Sequence, residues 1–216
     1  MKSWVLNGWA SSPHAWDLCA SLKGARIFSY VEQLDGIPER EIENVDSLLL
    51  VGWSMGGSSA LRIALKYPEK VKGLVLIAAT PRMLEDKESG WRGMSAHRLE
   101  ALRKGLEMTH GEGFFGIPEG KPNPYMMDTN ENLSRGLKYL AETDIRAELL
   151  AFSGLKDIPV AIFQSERDGI VRATNAEFLK SVFSQAKVTI VPGTEHALSI
   201  VIPELIDEFC LAMLSV

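Results

Sequence analysis

The chain has 216 residues, with 23 Lys plus Arg against 28 Asp plus Glu, and 46% of it is hydrophobic. A net charge of −5 lacks the cation surplus that non-specific binding to nucleic acid or an anionic membrane requires, so neither is expected as a partner. No apolar run approaches the roughly 20 residues of a bilayer span, and Trp4-Val5-Leu6 is too short for a secretory core. Cys19 and Cys210 lie at opposite ends without metal-ligand spacing, so a reducing cytoplasmic setting is expected, with no metal.

In chain order, short apolar runs rich in β-branched residues predict strands at Ser3–Leu6, Arg26–Tyr30, Ser47–Val51, Val71–Ala78, Pro159–Gln164 and Lys187–Val191. Consecutive apolar positions are expected where a parallel strand is covered on both faces. Helical patterns fall between them at Ser58–Tyr67, stopped by Pro68, at Thr174–Phe183, and at Pro203–Leu214. This alternation predicts an α/β architecture, a mostly parallel sheet of about six strands flanked by helices. It breaks between Arg82 and Gly154, where the pattern is helical only, with periods Leu99/Leu102/Leu106 and Leu133/Leu137/Leu140 and joints rich in Gly and Pro. The expected division is a core of residues 1–81 and 155–216 with a helical cap, 82–154, inserted before the last two strands.

The strand Ser47–Val51 runs into Gly52-Trp53-Ser54-Met55-Gly56-Gly57 and then a helix. Gly-x-Ser-x-Gly between strand and helix is the context of a nucleophile elbow, in which a sharp turn exposes a strained serine. Side chains larger than Gly on either side would meet the neighbouring strand and helix, and the helix N-terminus directs N–H groups to a forming oxyanion. A phosphate-binding loop fits less well, because no Lys-Ser/Thr pair follows and the glycine spacing differs.

A serine needs a base, and the base an orienting carboxylate, in the order Ser, acid, His. Of four histidines, His196 alone follows the last strand, in Pro192-Gly-Thr-Glu-His196; His14 precedes the serine, and His97 and His110 fall in the insertion. For the acid, Asp168 sits at the tip of Ser165-Glu-Arg-Asp168-Gly169, with Glu166 as its competitor and Asp157 on the wrong side of the strand. The second oxyanion donor is expected in the loop after the first strand, pairing the backbone N–H of Trp9 with that of Met55. Asn7-Gly8 is also a good turn pair, and the Trp9 ring is free to pack.

With these residues placed, the chain resembles the α/β-hydrolase superfamily across nearly its whole length. Within it the likeness is to the pimeloyl-[acyl-carrier protein] methyl ester esterases of biotin synthesis. The phrases that carry it are Gly8-Trp9 with Trp16, Gly52-Trp53-Ser54-Met55-Gly56-Gly57, Leu137-Lys-Tyr-Leu140 before Thr143-Asp144-Ile-Arg146, and Asp168-Gly169-Ile-Val171. The resemblance implies hydrolysis of a methyl ester on a carrier-bound pimeloyl chain. It implies a pocket lined by Trp9, Ser54, Met55 and His196, and an acyl carrier protein as partner. Asn7 stands where that family has His, and the chain opens on the oxyanion strand, without the two leading strands common in the superfamily. No cofactor is expected, and a monomer is.

A carrier-docking face should be basic. Arg92, Arg98, Arg103 and Lys104 stand against Glu100, with Arg135 and Lys138 on the next helix, although a solvated helix surface explains them better. Met94, Met108, Phe114, Phe115, Tyr125, Met126 and Met127 could line an acyl tunnel or form the interior of the cap. Three activities fit this pattern. They are the serine esterase, a carboxylesterase or carbon–carbon hydrolase or lyase of another pathway, and a non-catalytic small-ligand receptor on the same scaffold.

Overall fold

The computed structural model describes residues 1–109, 120, 122–126, 128–152, 154 and 157–215. Six strands form one sheet: β1 (Lys2–Leu6), β2 (Arg26–Phe28), β3 (Leu48–Trp53), β4 (Val71–Ile77), β5 (Val160–Ser165) and β6 (Lys187–Val191). Their order is β2-β1-β3-β4-β5-β6, and every pairing is parallel.

The consecutive apolar runs are explained by cover on both faces. In β3, Leu48 and Leu50 enter one hydrophobic cluster while Leu49 and Val51 enter another. Leu74 and Leu76 alternate in the same way with Val75 and Ile77, as do Val160 and Ile162 with Ala161 and Phe163. One face is covered by α3 (Met55–Lys66) and α7 (Thr174–Val182), the other by α8 (Leu198–Val201) and α9 (Pro203–Leu214).

Several boundaries differ from the sequence reading by one to three residues, and two of these shifts are informative. β2 ends at Phe28, because Ser29 caps α1 (Tyr30–Leu34). Its hydroxyl accepts from Glu32 N–H while the Glu32 carboxylate accepts from Ser29 N–H, a reciprocal box that outcompetes two more residues of strand. A second short helix, α2 (Ile37–Glu41), follows at once. At the elbow, α3 begins at Met55, three residues before the predicted Ser58, so the helix starts directly after the serine.

Between β4 and β5 the described residues form α4 (Ala96–Thr109), α5 (Asn130–Glu142) and α6 (Arg146–Ala151). The segment is not purely helical. Isolated bridges join Leu84 to Met94 and Asp86 to Trp91, and Arg82 pairs with Asp144. The predicted period Leu133/Leu137/Leu140 is the buried face of α5, capped by Thr129, and each such leucine stabilises the fold by roughly 1.5–3 kcal/mol. With Leu99, Met83 and Met94 these leucines form a third cluster, which takes in Trp9, Tyr30 and Met55 from the sheet side. A polar staple closes the outside: Asp144 pairs with Arg82 and Arg146, and Arg146 also binds Asp86 at 3.0 Å and lies over the Trp91 ring.

Candidate active site

The chain leaves β1 for β2 on one side and β3 for β4 on the other, so a crevice opens between the carboxyl ends of β1 and β3. Open parallel sheets bind ligands at such a switch point. Leu6 is in register with Gly52, which places the loop Asn7–Trp9 beside the elbow of Ser54.

Ser54 has φ 56° and ψ −118°, a left-handed strain of about 1–3 kcal/mol for a residue with a side chain. Its N–H donates to Ile77 O at 2.9 Å. The glycines around it are required by close approach. A Cβ on Gly52 would lie 2.5 Å from Gly56 O, one on Gly56 would overlap the carbonyl oxygen of Leu6, and one on Gly57 would overlap Ala79 Cβ. Met55 is the first residue of α3, so its N–H has no acceptor within the helix.

The acid follows β5. Asp168 Oδ1 accepts from the N–H of Ile170 (2.7 Å) and Val171 (3.1 Å), which leaves Oδ2 facing His196 Nδ1 at 2.7 Å. The Asp168 side chain is fully buried, whereas Glu166 is exposed. Gln164, at the end of β5, donates to Val171 O at 2.9 Å and reaches Asp168 Oδ2 at 3.4 Å. His196 lies beyond β6, held from behind by Trp53 Nε1 donating to its carbonyl at 3.0 Å, with the two rings 5.8 Å apart. Because Nδ1 donates to the carboxylate, Nε2 is left as an acceptor.

Gly8, Trp9, Ser54 and His196 line one small cavity of about 20 Å³, walled by Trp53, Tyr125, Met83, Leu99, Leu102, Leu140 and Ile170. Ser54 and His196 thus share a pocket, although among the described residues no hydrogen bond joins Ser54 Oγ to the ring. Burial, and after it the Asp168 charge, drives the Tyr125 hydroxyl far above its ordinary pKa, so it stays protonated.

The other histidines stand elsewhere: His14 is exposed and bonded to Asp17, His97 is exposed, and His110 lies outside the described residues. Met55 differs from the family-based expectation. Its side chain is fully buried in the third cluster and does not line the cavity, so only its main chain bears on the site. Trp9 serves both ways, since its ring packs into that cluster and donates to Leu133 O at 3.0 Å while the residue lines the cavity. Gly136 admits that ring, as a Cβ there would overlap it. Asn7, the departure from the family, accepts from Trp16 Nε1 at 2.5 Å through Oδ1, and its carbonyl accepts from Gln33 at 2.9 Å.

The Met and aromatic residues of the insertion do not share one setting. Of its described members, Met108 and Met126 are exposed, Met94 is cluster interior and Tyr125 alone reaches the cavity; Phe114, Phe115 and Met127 lie outside the described residues. Leucines of α4 and α5 also wall the cavity. Nothing local announced this, because the face a helix turns to a cavity is set by its packing. Trp53 had a signal in its place beside the serine, but its hold on His196 spans 143 residues. Of the basic set, Arg103 pairs with Glu100 and Arg135 with Asp35, each at 2.5 Å, while Arg92, Arg98 and Lys104 are exposed.

The model of the alpha/beta hydrolase fold family matches residues 7–202, and the chain belongs to that family. It is 27% identical to the pimeloyl-[acyl-carrier protein] methyl ester esterase of Nitrosomonas europaea, across 93% of this chain and 90% of that protein. The protein of the same name from Vibrio vulnificus is 26% identical across 98% and 92%. Among solved structures, an esterase from Exiguobacterium antarcticum superposes with a TM-score of 0.78 at 15% identity, covering 100% of this chain and 92% of its own. A bromoperoxidase from Bacillus anthracis gives 0.75 at 19%, also covering 100% and 92%. These structures share the fold, and their differing names illustrate that one scaffold carries several reactions. No described helix is long and apolar enough to cross a membrane.

Proposed function

We propose that the chain is a serine esterase, and that its substrate is the methyl ester of a pimeloyl chain held by acyl carrier protein. The observation that carries the esterase reading is the buried 2.7 Å contact between Asp168 Oδ2 and His196 Nδ1, at a pocket shared with a serine of positive φ. The substrate reading rests on the relatives that bear that name along nearly the whole chain.

In this reading Ser54 Oγ attacks the ester carbonyl while His196 Nε2 takes its proton. Asp168 holds the ring in the required tautomer and stabilises the imidazolium. The N–H groups of Trp9 and Met55 receive the oxyanion, the latter helped by the positive end of α3. Collapse of the tetrahedral adduct breaks the bond to the alcohol oxygen, which leaves as methanol with the proton from His196. Water then attacks the acyl-Ser54, giving up a proton to His196, and the acid departs as Ser54 Oγ recovers it. The Ser54–His196 contact tightens as the carbonyl enters, as catalytic hydrogen bonds commonly do. The chemistry needs no metal or organic cofactor.

The test is methanol release from a panel of methyl esters, free and carrier-bound. Release is expected from the carrier-bound pimeloyl ester in preference to free short esters. Preference for free esters would move the protein to another pathway, and no release from any ester would favour a receptor.

A further inference from the structure

The cavity at Ser54 holds about 20 Å³, room for a water molecule or two and not for an acyl chain. On the outer side of the same helices lies a groove of about 320 Å³ between α4 and α5, whose apolar lining includes Leu84, Ala96, Leu137 and Ala141. Leu99 belongs to both linings. On α4 it has Leu102 on its inner flank and Ala96 with Arg103 on its outer flank, and its side chain is nearly buried in the third cluster. Across the seam α5 does the same with two buried residues, Leu140 lining the cavity and Leu137 the groove.

We propose that Leu99 is the gate of the acyl site. When its side chain turns aside, the cavity at Ser54 joins the α4–α5 groove, and the chain of a long ester extends through the seam. Leu99 therefore sets the acyl length accepted. A leucine suits the role, because it changes rotamer without breaking any hydrogen bond. The groove suits an alkyl chain through that apolar lining, with the polar groups of Glu100, Ser134 and Lys138 also on it for a substituent farther along. This inference rests on the esterase reading above, and it concerns which chain is accepted rather than whether Ser54 reacts.

The experiment measures kcat/KM for p-nitrophenyl esters from acetyl to decanoyl and reads the ratio of long to short. Leu99→Ala opens the seam and is expected to raise that ratio at least about tenfold, the scale on which apolar sites sense chain atoms. Ala141→Leu fills the groove from an exposed position of α5 and is expected to lower the ratio by a similar factor. Because Leu99→Ala could loosen the cluster, Leu99→Phe serves as a volume-adding counterpart, expected to lower the ratio. An unchanged ratio in Ala141→Leu, with acetyl ester turnover retained, would overturn the gate. Absence of turnover in the unaltered protein would overturn the esterase reading instead.

Discussion

The sheet edge that carries Ser54, Asp168 and His196 and the helical segment that roofs it are built by different means. At the sheet edge, geometry is fixed by backbone: a positive φ at Ser54, glycines with no room for a Cβ, and two N–H groups aiming Asp168. In the roof, geometry is fixed by side chains from separated helices, held together by one apolar cluster and the Asp144–Arg146 staple. Backbone devices tolerate almost no change, whereas packed side chains can be exchanged with graded effect. In the proposed reading the first region defines a reaction, and the second adjusts what is admitted to it.

The contrast can be broken most sharply at the sheet edge. Ser54→Ala is expected to lower ester turnover by about 10⁴-fold or more. Its circular dichroism should match the unaltered protein, and retained turnover would remove the serine from its role. Asp168→Asn should cost about 10⁴ in kcat with KM little changed, because the ring is then held in the wrong tautomer. Gly56→Ala, forced against the Leu6 carbonyl, is expected to destabilise by about 3 kcal/mol or more, roughly 6–12 °C in Tm for a chain of this size. A Tm within a degree of the unaltered protein would show that the elbow yields.

The roof should respond more mildly. The hydrogen bond from Arg146, the larger cause, and that from Arg82 hold the Asp144 carboxyl well below its ordinary value, while Ser89 and then Arg146 lower Asp86 to about 2. Depressed carboxylates stabilise above their unfolded pKa and lose that contribution as pH falls through the folded value. Between about pH 4 and about pH 2, then, the unaltered protein should lose Tm faster than the double variant Asp86→Asn, Asp144→Asn, until the two converge. Parallel curves would show that the staple contributes nothing. Least of all should change on treatment with a thiol reagent at neutral pH. Burial pushes Cys19 and Cys210 to about 12, so both should stay unmodified until the protein unfolds.

The same division governs what was legible in the sequence. β3, β4 and β5 could be read because cover on both faces makes each an apolar run, and Gly52–Gly57 because a strained serine needs those glycines. His196 and Asp168 followed from their positions after strands. β2 was drawn two residues too long although Ser29 and Glu32 carried a capping signal, since the apolar run through Phe28 and Tyr30 spoke for strand. Leu99, Leu102 and Leu140 were visible only as helix periodicity. Which of them meets the serine depends on how α4 and α5 cross, and no local pattern encodes that.

In the proposed mechanism Ser54, activated by His196, is the group that bonds to substrate. Reaction with a fluorophosphonate, followed by peptide mapping, tests it directly. One label per chain on Ser54, rising in step with loss of ester turnover and absent in His196→Ala, is the predicted result. Label on a different serine, or full turnover with Ser54 blocked, would contradict it.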